Sequence, residues 1–186
     1  MSEPTEFERF YRWIEANGGQ IHPQIRIDTR EERGLFTTEE IPSHSALIVI
    51  PFSLILTANR MENKFVDKSD QLRLIIFLLY EYFKVDKSFW FPWLHLLNID
   101  QEKQDFLTRQ MQLYDCLEHS TIAQALTARY QQLQEDYDEL SKSFTDLQFD
   151  FDLFATIDHL VWSRILDLPD DIGVSLVPSV DFANHR

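Results

Sequence analysis

At 186 residues the chain can hold one ordinary domain with a real core, or a small domain carrying a sizeable insert, and it is too short for two complete enzymatic domains. Hydrophobic residues at 44% and aromatics at 13%, with Phe alone numbering 15, exclude a disordered polymer, and a Gly count of 4 argues against a glycine-rich phosphate-binding architecture. A formal net charge of -14 excludes the basic footprint that direct nucleic-acid binding requires; it suits a basic protein partner, unless the acidity serves solubility alone.

The first residues, Met1 to Glu6, carry neither the basic residues nor the apolar stretch of a secretory signal, nor the Arg-rich character of a transit peptide. Thr5 and Glu8 then form a capping-box pattern, Phe7, Phe10, Tyr11 and Ile14 share one helical face, and Gly18-Gly19 follows. This predicts an amphipathic helix within 1–20, serving as a lid or brace. Over 21–68 the texture changes to short β-like pieces, Ile25 to Ile27, Gly34 to Thr37 and Ala46 to Ile50, punctuated by Pro23, Pro42 and Pro51. Small antiparallel strands are expected there.

Over 69–167 the helical period dominates. Asp70 to Phe83 is apolar nearly all round and should be the buried central helix of a bundle, while its longest apolar run, Leu74 to Tyr80, is too short to span a bilayer. Ser88-Phe89-Trp90-Phe91-Pro92-Trp93-Leu94 reads as an aromatic packing knot. Ile122, Leu126, Tyr130, Leu133, Tyr137 and Leu140 repeat at three- and four-residue spacing, as do Phe151, Phe154, Ala155, Val161, Trp162 and Ile165, so at least four helices are expected. Glu135, Asp136, Asp138 and Glu139 read as a solvated helix face, with a substrate-facing role as the alternative.

The tail, 168–186, returns to turn and strand chemistry through Pro169, Gly173 and Pro178. Leu176, Val177, Val180 and Phe182 predict an apolar strand with no later segment to cover it, an open edge prone to aggregation. A single cysteine, Cys116, cannot form an internal disulfide, and no Cys/His grouping has zinc spacing; a reducing compartment, cytoplasm or nucleus, and no metal are expected. The order of β pieces, helices and β again predicts an α+β fold in which a small β domain is interrupted by a mainly helical insert.

Three segments carry possible chemistry. The first is Glu31-Glu32-Arg33-Gly34-Leu35-Phe36-Thr37, where a glycine opens a strand and permits close backbone approach to a ligand; taken alone it is an ordinary charged turn. The second is Val161-Trp162-Ser163-Arg164, whose arginine closes a helix and offers a planar fork of donors to a carboxylate, or simply complements the helix dipole. The third is Leu176-Val177-Pro178-Ser179-Val180-Asp181-Phe182-Ala183-Asn184-His185, whose amide can donate and accept without adding charge.

In this order and with these spacings the segments resemble the motifs of SET-domain protein-lysine methyltransferases, in the branch with a long helical insert that includes the Rubisco large-subunit and ribosomal-protein methyltransferases. The aromatic stretch from Ser88 resembles that branch's signature at the start of the insert, with Leu97-Asn98 where Leu-Pro is usual. The resemblance runs from about Phe7 to Arg186. It implies an S-adenosylmethionine site built by Glu31, Arg33, Arg164, Asp181, Asn184 and His185, and transfer of a methyl group to a lysine of a basic protein, ribosomal or histone-like, without nucleic acid or membrane. In the family a tyrosine downstream of the Asn-His motif lines the lysine channel; no catalytic residue is therefore expected before Arg186, and 168–186 reads as the incomplete start of the C-terminal SET half. The expectation is a fragment, truncated after the Asn-His motif and inactive alone. A non-catalytic SET-like binding module, for which Glu32 at a usual glycine position speaks, and a histidine methyltransferase are the alternatives.

Overall fold

A computed structural model describes residues 4–29, 33–60, 67–104, 117, 120–144 and 147–183. Thr5 caps helix α1 (Glu6–Ala16): its hydroxyl accepts the N–H of Glu8 at 3.2 Å, while the Glu8 carboxylate accepts the N–H of Thr5 at 2.9 Å. The helix ends at Asn17, and Gly18, at φ 87°, turns the chain out of it. Gly19 is required for a different reason, since a Cβ there would stand 2.6 Å from Ile14 Cγ2. The buried face carries Phe10, Trp13 and Ile14, and Tyr11 accepts the N–H of Ile27 on its hydroxyl at 2.7 Å, fastening the helix to the first β segment.

The strands are short and antiparallel, as expected. Strand β1 (Gln20–Ile21) pairs with β4 (Ile48–Val49), and β2 (Ile25–Thr29) pairs with β3 (Arg33–Thr37) in the register Ile25 to Thr37 through Thr29 to Arg33. The strand expected over Ala46 to Ile50 shortens to two residues because its partner is confined between Gly19 and Pro23. The third sheet joins distant parts of the chain: β5 (Leu56–Thr57), β7 (Gly173–Leu176) and β6 (Leu166–Leu168) lie in the order β5-β7-β6. Between β6 and β7 the turn Pro169 to Ile172 is closed by an N–H to carbonyl bond of 3.3 Å, with Asp170 and Asp171 at φ 58° and 60°, the twist that suits a hairpin.

Helix α2 (Asp70–Phe83) is capped by Ser69 and buried over most of its surface, packing on α5 (Phe151–Arg164), which Asp150 caps. Helix α3 (Phe91–Leu97) lies on α1 through the expected aromatic knot: Trp13 meets Trp90 edge-on at 5.7 Å and Phe77 meets the same ring at 6.1 Å. Helix α4 (Thr121–Ser143) buries only Leu133 and Leu140; Ile122 and Tyr130 of the expected apolar stripe are more than half exposed. Packed helices with small antiparallel sheets make an α+β fold.

The expected open apolar edge at the tail is corrected by this topology. β7 is the central strand, paired on both sides, and the strand stops at Leu176. Pro178 cannot continue a ladder, so Val180–Phe182 winds into a 3-10 turn that buries Phe182 edge-on against Phe10 at 6.1 Å.

Candidate functional site

Arg164 is the last residue of α5 because Ile165 turns extended to begin the run into β6. The Ser163 hydroxyl donates to the Leu160 carbonyl at 3.1 Å and accepts Arg164 Nη1 at 2.8 Å, which orients the guanidinium. Burial pulls the Arg164 pKa down, Asp181 and Glu102 pull it back up, and Arg33 pushes it down again, so these four charges share one field.

Asp181 reaches the same place from the opposite side. After β7, Ser179 adopts φ 79°, ψ -45°, and bonds from Asp181 N to the Val177 carbonyl at 3.1 Å and from Ala183 N to the Val180 carbonyl at 2.9 Å close the turn that aims the carboxylate. Trp93 Nε1, on α3, donates to Asp181 Oδ2 at 2.9 Å. Although the residue as a whole is only partly buried, Oδ1 is sealed from solvent. Burial therefore pushes the Asp181 carboxyl up to about 6, against the opposing pull of the Trp93 N–H, the Arg164 cation and nearby backbone N–H groups. Arg33 opens β3 and donates through Nη1 to the carbonyl of Leu96, also on α3.

Three buried polar atoms of this cleft, Arg164 Nε, Ser179 Oγ and Asp181 Oδ1, have no hydrogen-bond partner among the described residues. Buried polar groups are normally paired, and each unpaired one costs about 1–3 kcal/mol. A donor on a guanidinium, an acceptor on a carboxylate and a hydroxyl that can do either fit a ligand carrying both a carboxylate and an ammonium group.

The structure thus brings Arg33, Arg164 and Asp181 of the expected site together; Glu31, Asn184 and His185 lie outside the described residues, as do Glu32 and Cys116. Sequence reasoning missed Trp93 and Ser179. Trp93 was absorbed into an aromatic packing knot, and its acceptor is 88 residues away, beyond the reach of any local pattern. Ser179 had a signal, its place inside the Leu-Val-Pro to Asn-His motif, but the backbone turn that buries its hydroxyl has none.

Two grooves elsewhere have less chemistry to offer. One, about 250 Å³ between α4 and α5, holds Arg129, whose Nη2 lies 2.6 Å from both carboxylate oxygens of Asp158 and whose guanidinium sits over Trp162. The other, about 340 Å³, holds Tyr82, which donates to Asp100 at 2.7 Å. In both the principal polar groups satisfy one another. Among the described residues no group of His, Cys, Asp and Glu is placed to hold a metal ion, and no helix is long and apolar enough to cross a membrane.

No protein-family model and no curated protein matches the sequence. Among solved structures the fold is that of the SET domain of lysine methyltransferases. The chain is similar to the SET domain of LSMT bound to lysine and AdoHcy, with a TM-score of 0.76 and 17% identity over 97% of this chain and 44% of that one. It is similar also to Rubisco LSMT bound to AdoMet, with a TM-score of 0.75, 16% identity and coverage of 98% and 45%. For Rubisco LSMT bound to sinefungin and monomethyllysine the TM-score is 0.74, at 17% identity over 100% and 45%. The chain spans less than half the length of these proteins.

Proposed function

We propose that the chain supplies the cofactor-binding part of an S-adenosylmethionine-dependent protein-lysine N-methyltransferase. The observation that carries this reading is the set Arg164 Nε, Ser179 Oγ and Asp181 Oδ1, all buried and without a hydrogen-bond partner among the described residues, with Arg164 and Asp181 in each other's field, on a SET fold. Arg164 would receive the carboxylate of the cofactor's amino-acid end, Asp181 would accept from its ammonium, and Ser179 would complete the pair. Arg33 adds positive potential beside Arg164, and Glu31, Asn184 and His185 are assigned to the same site by motif. The bound cofactor supplies an electrophilic methyl group on a sulfonium. The chain's part is to orient it, by fixed charges on rigid elements, and to keep water away with the buried ring of Phe182 and the buried indole of Trp93.

The acceptor amine must be neutral. With an ordinary lysine pKa near 10.4, deprotonation at pH 7 costs roughly 4–5 kcal/mol, which a dry channel has to offset. A basic protein suits the net charge of -14 and the exposed acidic residues Glu135, Asp138 and Glu139 on α4. The test is titration of S-adenosylmethionine into the chain, with mass spectrometry of a lysine-rich basic protein incubated with methyl-labelled S-adenosylmethionine and the chain joined to a tyrosine-bearing C-terminal SET half. Cofactor binding by the chain and label on lysine with the joined protein are expected; label on histidine would change the substrate class, and binding without transfer by the joined protein would make this a non-catalytic cofactor-binding protein.

A further inference from the structure

Helix α3 touches both sides of the cleft. Trp93 Nε1 donates to Asp181 at 2.9 Å, and three residues on, the Leu96 carbonyl accepts from Arg33. Trp93 is completely buried and packs edge-on against Trp90 at 6.1 Å, which in turn meets Trp13 of α1 and Phe77 of α2. Three helices therefore hold the indole in one orientation. A buried indole N–H has to find an acceptor, and here the acceptor is the carboxylate that opens the segment leading to Asn184 and His185.

We propose that Trp93 is a positioning residue of the cleft, holding the Asp181 carboxylate through Oδ2 so that Oδ1 stays turned toward the ligand beside Arg164. Without that bond the carboxylate is free to rotate and pair both oxygens with Arg164, which would consume the donor and the acceptor that the ligand needs. The role rests on the reading of the cleft as a cofactor site; the hydrogen bond itself does not. The charged groups around it are Arg164 from α5, which faces Asp181 directly, and Arg33 and Glu102, which face Arg164. Trp93 also favours the ionised carboxylate, so its removal moves Asp181 further up from about 6.

The experiment is calorimetric titration of S-adenosylhomocysteine into the 186-residue chain across pH 5 to 8, for wild type, W93F and the core variant F10L, with Tm measured in parallel. Wild-type affinity is expected to fall as Asp181 protonates. W93F is expected to bind about tenfold more weakly at pH 7, a change equivalent to about 1.4 kcal/mol, and to move the acid limb of the profile to higher pH. F10L lowers Tm and leaves the limb where it was. The indole N–H resonance that disappears in W93F should follow the same midpoint in wild type and lose its pH dependence in D181N. Binding by wild type with an unmoved limb in W93F overturns the role of Trp93 alone; no binding by wild type at all overturns the cofactor reading and this role together.

Discussion

A carboxylate placed where burial opposes its charge, beside an arginine placed where burial opposes its own, stores unfavourable free energy that a bound ligand would relieve. Asp181 carries the clearest signature of this. Its folded pKa, about 6, lies above the ordinary 3.8, so its contribution to stability is complete below about 3.8 and is lost as pH rises through about 6. D181N keeps an acceptor for Trp93 Nε1 and has no charge to bury. The Tm of D181N is expected to equal that of wild type near pH 4 and to exceed it increasingly toward pH 7.5, while the affinity for S-adenosylhomocysteine falls. A Tm that is lower at every pH would mean that Arg164 more than compensates the burial of Asp181.

At the scale of elements, helix ends set the positions that matter. Asp150 caps α5, accepting the N–H of Leu153 at 2.8 Å, and its carboxylate also meets Lys103 Nζ at 2.8 Å; Arg164 stands at the other end of the same helix. Lys103 holds the Asp150 carboxyl below its ordinary range, the opposite sign to Asp181, so this stabilisation is present above about 3.8 and is lost as pH falls below it. D150A is expected to cost about 1–2 kcal/mol in urea unfolding at pH 7, with the difference from wild type shrinking toward pH 3. An unchanged midpoint at pH 7 would remove the cap from the account. Helices such as Asp70–Phe83 and Phe151–Arg164 were legible in the sequence because their periods and caps are local. The exposure of Ile122 and Tyr130 was not, because burial of one helix face is decided by what packs on it, and α5 meets the first half of α4 across a groove, through the Arg129–Asp158 pair and the Tyr130–Phe151 ring contact, rather than as a closed apolar seam.

For the whole molecule, the sheet β5-β7-β6 closes the fold by pairing Leu56 with Leu176 and Thr57 with Ser175. That closure carries Asp181 to Arg164 and Arg33. The motif spacing marked these three residues individually. It could not show that α3 links two of them, since Trp93 and Leu96 make their bonds across 88 and 63 residues. The same long-range pairing makes Gly173–Leu176 a central strand in place of the expected open edge, and the apolar residues beyond it turn inward through Phe182. What the motifs did establish was the SET fold, which the structural neighbours bear out at 16–17% identity, a level at which no curated sequence matches.

The claim that Arg164, Ser179 and Asp181 form a receptor for the amino-acid end of S-adenosylmethionine is tested most directly by calorimetric titration of S-adenosylhomocysteine into wild type and R164A at pH 7.5. The account predicts saturable one-to-one binding by wild type and a loss of at least about tenfold in R164A, as expected for one charge-assisted hydrogen bond of roughly 1.5–3 kcal/mol, at similar Tm. Equal affinity in the two proteins, or no binding by wild type, would contradict it.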